Sequence, residues 1–327
     1  MKALVLQQFA NPEQALRLQE QELPALQPHQ VRITMKYSPI NPADINLLEG
    51  KYPIDVSLPL VPGNEGMGVI AETGTQVKHL KVGQRVVPFQ RLNNWCESRI
   101  VDADKVFPVP DELSDELAAM LLVNPPTAWR MMHDIVQLQP GDWVIQNAAN
   151  SVVGRYVIHF AHSLGLKTVN IVRRPELIEP LMNEGATIVL TDEDKFCKRV
   201  QEQTQQAEIK LGLNAVGGSN AAELAKSLAR GGTVVTYGAM SGQPLYIPNG
   251  LLIFRDIRFT GYWVSEWYRH ASGEQIFDMF HTIIPYMIER NIRIPIAQTY
   301  PLEQYRQAIQ HAQQGAREGK ILFRMNS

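Results

Sequence analysis

From Gly141 onward the chain alternates short apolar runs with amphipathic ones at the spacing of βαβ units, and this alternation limits its fold more than any other feature. Strand candidates cover residues 143–146, 168–172, 187–190, 210–216 and 233–237, with helical runs at 152–164, 176–184 and 221–229 between them. In the first helical run Val153, Tyr156, Val157, Phe160, Ala161 and Leu164 form one apolar stripe, and Gly165 supplies a C-terminal cap. Such alternation predicts a parallel sheet covered on both faces, and so an α/β fold. The full chain of 327 residues is too long for one ordinary core and predicts two domains.

The first part of the chain reads differently. Short strand-like runs at 31–35, 68–71 and 85–88 are broken by Ser38-Pro39, Asn41-Pro42, Leu58-Pro59, Val61-Pro62-Gly63 and Lys81-Val82-Gly83, which predicts a mostly β domain with irregular connections. Ser114 is a good N-cap, with Asp115 and Glu116 in the first turn of the helix it would open. A second helical run follows Pro126, and the chain closes with a helix at 302–314 and a strand at 320–325. Net charge is −2, which gives no broad attraction to nucleic acid or to anionic membranes. No apolar run reaches the roughly 18 residues of a membrane span. The N-terminus, Met1-Lys2-Ala3-Leu4-Val5-Leu6, reads as a strand rather than a targeting segment, so a cytoplasmic location is expected. Two cysteines, Cys96 and Cys197, offer no disulfide framework and no four-cysteine zinc site; both are expected as small buried hydrophobes.

The segment Gln146-Asn147-Ala148-Ala149-Asn150-Ser151-Val152-Val153-Gly154 lies between a strand candidate and a helix candidate. That is where a pyrophosphate meets backbone N–H groups and the positive end of a helix dipole, and small residues there let the backbone approach. By itself the loop is equally an ordinary βα turn, since it lacks the G-x-G-x-x-G pattern. The next strand candidate ends at Val172-Arg173-Arg174, with Arg173 nineteen positions after Gly154. An acid at about that distance would bind the ribose 2′-hydroxyl of NAD; two arginines favour a 2′-phosphate, and so NADPH. Small-residue turns at Asn214-Ala215-Val216-Gly217-Gly218 and Tyr237-Gly238-Ala239-Met240-Ser241 end two further strands, where ligands of open α/β sheets sit.

A resemblance adds to this reading. Asn41-Pro42-Ala43-Asp44-Ile45-Asn46, Gly50-Lys51-Tyr52-Pro53, Pro62-Gly63-Asn64-Glu65-Gly66, Asn124-Pro125-Pro126-Thr127-Ala128-Trp129-Arg130, Gln146 to Ser151, Tyr237-Gly238-Ala239-Met240 and Leu252-Ile253-Phe254-Arg255-Asp256 occur in an order that resembles the medium-chain dehydrogenase/reductase superfamily. Within it they are most similar to the zinc-free 2-enoyl thioester reductases, the mitochondrial-type trans-2-enoyl-CoA/ACP reductases. The resemblance implies a doubly wound Rossmann domain (residues 123–296) inserted into a mostly β GroES-like catalytic domain (residues 1–122 with 297–327), and a homodimer. It implies that Tyr52 is the proton donor. It places Asn124, Thr127, Ser151, Val152, Val153, Gly154, Arg173, Arg174, Tyr237, Gly238, Ala239, Met240, Tyr262, Trp263, Val264, Ser265 and Lys320 at the cofactor. No metal is implied, because Asn64 stands where zinc-bearing relatives keep a histidine-type ligand, and a neutral amide is a poor ligand for zinc.

Three positions depart from the family pattern. Val152 replaces a glycine of the phosphate loop, Pro62 precedes Gly63 where a glycine is commoner, and Arg174 replaces an acid and makes the pocket more basic. The expected reaction is hydride transfer from NADPH to the β-carbon of a 2-enoyl thioester, carried on CoA or acyl carrier protein, with donors facing the developing enolate and Tyr52 supplying the α-proton. Asn41 and Asn46 would orient Tyr52 or the substrate, and Trp263 and Trp267 would line an acyl pocket or simply pack. Two rivals remain open on sequence: an NADPH:quinone or enone oxidoreductase of the same superfamily, and a non-catalytic NADPH-binding protein.

Overall fold

Apolar residues at every second position set the N-terminal strands. The computed structural model describes residues 1–193, 195–315 and 317–325. It divides into two units: Met1–Val123 with Gly273–Ser327, and Asn124–Ser272. In the first unit, β1 (Lys2–Leu6) and β2 (Leu16–Glu20) pair antiparallel. β3 (Gln30–Pro39) buries Val31, Ile33 and Met35 and leaves the residues between them half-exposed, the signature of a sheet with one covered face. β4 (Met67–Thr73), β5 (Arg85–Pro88), β6 (Ser98–Asp102) and β7 (Val106–Pro108) follow. Ser114 caps the helix Asp115–Ala119 as expected, its hydroxyl accepting from the Leu117 N–H.

The second unit opens on helix Asn124–Asp134, which starts two residues before the expected Pro126 because Pro125 and Pro126 are tolerated in a first turn that lacks N–H partners anyway. Its strands are β8 (Trp143–Gln146), β9 (Lys167–Val172), β10 (Ile188–Thr191), β11 (Ile209–Asn214), β12 (Thr233–Thr236) and β13 (Arg258–Gly261). All pair in parallel, in the order β10-β9-β8-β11-β12-β13. Counted within the unit this is third, second, first, fourth, fifth, sixth: the doubly wound dinucleotide-binding order, which reverses between β8 and β11. β9 is buried from Thr168 to Val172, as a strand covered on both faces must be. Helix Val152–Ser163 buries Tyr156, Val157, Phe160 and Ala161 of the expected stripe, while Val153 and Leu164 at its ends are half-buried. Ile158 and His159 are buried as well, with Phe160 edge-on to Trp129 at 5.4 Å and His159 3.6 Å from Glu184.

The chain re-enters the first unit at Gly273, earlier than the residue 297 expected from sequence. Helix Gly273–Glu289 sets Phe277 and Phe280 against Phe107, with ring centroids 5.1 and 4.9 Å apart, so its apolar face belongs to that core. β14 (Ile296–Pro301) and β15 (Lys320–Arg324) complete a sheet of order β14-β15-β3-β4-β5-β7, with β6 also on β3. The expected helix at 302–314 begins with a 3-10 turn, Leu302–Gln304, and is α-helical over Tyr305–Gln313. The antiparallel register of β15 on β3 sets Phe323 opposite Ser38 and Leu322 opposite Pro39. That register brings Lys320 to the loop that follows β3. Among the described residues no helix is long and apolar enough to cross a membrane.

Candidate active site

In the second unit, small residues and amides gather at the carboxyl ends of the strands. After β8 the chain turns through Ala148, at φ 48. Ser151 then caps helix Val152–Ser163, its hydroxyl accepting from the Gly154 N–H at 3.1 Å, while the Arg155 N–H donates to the Ser151 carbonyl. Among the described residues nothing accepts from the N–H groups of Val152 and Val153. Two backbone donors and a positive dipole end are therefore available to an anion. Gly154 is needed for packing within the loop itself: a Cβ there would lie 2.5 Å from the Ala149 carbonyl oxygen. Val152 does not have a positive φ, so the backbone there is one that a non-glycine residue adopts without strain.

At the reversal of strand order, Asn147 ties β8 to β11. Its Nδ2 donates to Asn214 Oδ1 at 2.8 Å and to Asn220 Oδ1 at 2.7 Å, and its Oδ1 accepts from the Ala215 N–H at 2.7 Å. Gly217 and Gly218 follow at φ 82 and 58, a conformation that favours glycine. From sequence only the small residues here are legible; the amide bridge is not, because Asn147 and its partners are separated by 67 or more positions in the chain.

The arginine pair after β9 is not symmetric. Arg173 is exposed, and among the described residues nothing accepts from its guanidinium; Arg174 is half-buried and sits 3.4 Å from the Glu176 carboxylate. Tyr237 follows β12, and burial pushes its phenol up. Its hydroxyl meets no partner within hydrogen-bonding distance, though Ser151 is near enough to pull slightly the other way. An orphaned phenol beside the Ser151 cap, two unspent helix N–H groups and an unpaired arginine fit a dinucleotide with a 2′-phosphate.

Other expected cofactor positions are found as follows. Asn124 and Thr127 are buried in the first turn of their helix, and Gly238 has no room for a Cβ, which would lie 2.9 Å from the Ala215 carbonyl oxygen. Ala239 and Met240 are exposed, while Val264 and Ser265 are buried. Burial pushes the Tyr262 phenol up, with Asp134 adding to the effect and Arg130 opposing it. Trp263 and Trp267 each carry a guanidinium over the ring, Arg269 and Arg130 respectively, both at 4.6 Å.

The first unit holds a buried polar cluster. Asp44, in the helix Pro42–Leu48, accepts from the Asn41 N–H at 2.7 Å, from the Asn64 N–H at 3.0 Å and from Asn64 Nδ2 at 2.6 Å. Burial pushes its carboxyl up, and these donors pull it back. Glu65 is also fully buried; its oxygens accept from Asn41 Nδ2 at 2.8 Å and from the Val123 N–H at 2.9 Å. Lys320 reaches in from β15 and donates to Asn41 Oδ1. Burial raises the Glu65 carboxyl and lowers the Lys320 ammonium, and each charge opposes the other's shift. Asn41 is thus spent on Glu65 and Lys320 rather than aimed at Tyr52. Asn46 is exposed and acts through its backbone, its carbonyl accepting from the Tyr52 N–H at 3.2 Å and the Lys51 N–H at 2.8 Å.

Tyr52 is half-buried, and Arg91 Nη2 donates to its hydroxyl at 3.2 Å. The same nitrogen donates to Asn64 Oδ1. The Asn64 amide is therefore committed at both ends, Nδ2 to Asp44 and Oδ1 to Arg91. Among the described residues no group of three or more His, Cys, Asp or Glu side chains is placed to hold a metal ion. Arg91 is not marked by any sequence signal, and Glu65 is marked only as part of the Pro62-Gly63-Asn64-Glu65-Gly66 string, with no role attached.

Residues 27–111 match the alcohol dehydrogenase GroES-like domain and residues 152–281 the zinc-binding dehydrogenase family. The mitochondrial enoyl-[acyl-carrier-protein] reductase of Homo sapiens is 38% identical over 316 residues, covering 95% of this chain and 85% of the human one. Its Caenorhabditis elegans namesake is 39% identical over 300 residues, covering 89% and 86%. Among solved structures, the Etr1p/NADP/crotonyl-CoA complex has a TM-score of 0.90 at 28% identity over 99% of each chain. A Pseudomonas syringae quinone oxidoreductase, with a TM-score of 0.86 at 23% identity and 99% coverage of both chains, shares the fold.

Proposed function

The chain belongs to the enoyl-[acyl-carrier-protein] reductase family of the medium-chain dehydrogenases/reductases, and we propose from that membership that it is an NADPH-dependent reductase of 2-enoyl thioesters. The observation that carries this reading is the whole-chain likeness to curated enoyl reductases, combined with an amide committed to Asp44 and Arg91 where a metal ligand would stand.

NADPH, when bound, would supply the hydride needed at the β-carbon of the enoyl group. The chain's own residues hold and orient. The N–H groups of Val152 and Val153 receive the pyrophosphate at the helix N-terminus. Arg173 would pair with the 2′-phosphate, with Arg174 in support, and the Tyr237 hydroxyl would gain the partner it lacks. Tyr52 holds the proton that completes the reduction at the α-carbon. Lys320 remains a cofactor position in this proposal, and its bond to Asn41 Oδ1 would also fix the first turn of the helix Pro42–Leu48.

A homodimer belongs to the same proposal. β13 lies at the sheet edge with three of its four residues exposed, and the helix Asn249–Arg255 that precedes it leaves Ile253 and Phe254 68 and 73% exposed, apolar side chains that a second copy would cover. Acyl carrier protein is proposed as one carrier of the thioester, by analogy with the relatives' names. We also propose a cytoplasmic location, against the mitochondrial one in those names; fractionation of the source cells decides it.

The test is side-by-side turnover of crotonyl-CoA and a simple quinone, following NADPH absorbance. A higher kcat/KM for crotonyl-CoA is expected. A higher value for the quinone overturns the assignment in favour of the quinone reductase reading.

A further inference from the structure

We propose that Arg91 is the positioning residue for the proton step at Tyr52, an inference that rests on the enoyl reductase reading above. The argument begins with what a guanidinium is able to do. Arginine has donors and no acceptor, so in the 3.2 Å contact between Arg91 Nη2 and the Tyr52 hydroxyl the arginine must donate and the phenol oxygen must accept. This bond uses the phenol oxygen as its acceptor and does not draw on the phenolic proton. A carboxylate, an imidazole or an amide oxygen at the same place would compete for that proton.

The cation also suits what remains afterwards. Once Tyr52 has given up its proton, its oxygen carries negative charge, and a charged donor already faces it. The guanidinium carbon lies 5.7 Å from the centre of the Tyr52 ring, so the side chain lies along the ring as well as reaching its tip.

Arg91 is held from two directions. Asn64 offers its Oδ1 to Arg91 because Asp44 takes both the Asn64 N–H and its Nδ2, which fixes the amide the right way round. The loop carrying Arg91 continues through Leu92 and Asn93 at φ 66 and 58, left-handed conformations that non-glycine residues seldom adopt. A buried arginine secures that loop. Arg99, 5% exposed, donates to the Leu92 carbonyl at 2.9 Å, the Gln90 carbonyl at 3.4 Å and Asn94 Oδ1 at 2.8 Å. Asn94 in turn donates to the carbonyls of Gly63 at 2.8 Å and Leu92 at 3.1 Å. Burial lowers Arg99 to about 10, and it remains a cation at neutral pH. The chain therefore commits one buried cation to fixing the loop that presents another to Tyr52.

The experiment is a double-mutant cycle on the full chain with NADPH and crotonyl-CoA, comparing parent, Arg91→Gln, Tyr52→Phe and the double variant, with Arg91→Lys as the conservative control. Arg91→Gln is expected to lower kcat by about 10- to 100-fold with KM for NADPH unchanged, and Arg91→Lys to recover part of the loss. In the Tyr52→Phe background the same Arg91→Gln change is expected to alter kcat by less than about twofold, because the group it acts through is gone. Two results overturn the proposal alone: Arg91→Gln at parental kcat, or an equal loss with and without the Tyr52 hydroxyl. If Tyr52→Phe itself keeps parental kcat/KM, or the parent does not reduce crotonyl-CoA, the underlying assignment falls and the proposal with it.

Discussion

Arg173 and Arg174 are neighbours in sequence with different surroundings, and the difference predicts different phenotypes. Arg174 shares its charge with Glu176, whereas Arg173 has no acceptor among the described residues. Arg173→Ala should weaken NADPH binding by ~2 kcal/mol, or roughly thirtyfold, and leave NADH nearly untouched, whereas Arg174→Ala should cost less than half as much. Titration calorimetry with both nucleotides checks this. The arginine pair, Ser151 and Gly154 were legible in the sequence because their meaning depends on local spacing after a strand. The Asp44, Glu65 and Lys320 cluster was not, because its contacts join distant positions; Lys320 and Asn41 are 279 residues apart. The nearest local signal is the Asn41-Pro42-Ala43-Asp44 string, an N-cap followed three residues later by an acid, which announces a helix start rather than a buried site.

At the scale of elements, the cofactor loop depends on the close start of the helix Val152–Ser163. Gly154→Ala drives a methyl group into the Ala149 carbonyl, so the turn must open; a loss of ~1–3 kcal/mol in stability and a weaker NADPH affinity are expected from chemical denaturation and binding measurements. The base of the same sheet has its own tie. Asp142, just before β8, accepts from the Gln139 N–H at 2.9 Å and from Lys210 Nζ of β11 at 3.0 and 2.9 Å, and these hold its carboxyl below the usual 3.8. A carboxyl with a depressed folded-state pKa contributes stability above its unfolded value and loses it as pH falls through the folded one. Asp142→Asn should therefore cost ~1 kcal/mol at neutral pH, with the difference from the parent closing below pH 3.8. The parallel strands were read from sequence to within about two residues, since buried strands are uninterrupted apolar runs. Helix Gly273–Glu289 escaped notice: it has Pro285 inside it, and its partners Phe89 and Phe107 lie far away in the chain.

At the scale of the whole molecule, the order of matched motifs made the two-part architecture readable, but where the chain crosses back was decided by packing at Phe277 and Phe280 rather than by any local signal. The exposed edge at β13 predicts association. Light scattering should report a dimer, and Phe254→Asp should shift it toward monomer by placing a charge on the apolar surface that association would bury. The reaction itself is tested most directly by isotope placement. Crotonyl-CoA reduced with NADPH deuterated at the transferred position should give butyryl-CoA carrying one deuterium on the β-carbon and a hydrogen from solvent on the α-carbon. Recovery of unchanged crotonyl-CoA, or deuterium on the α-carbon, would contradict the account.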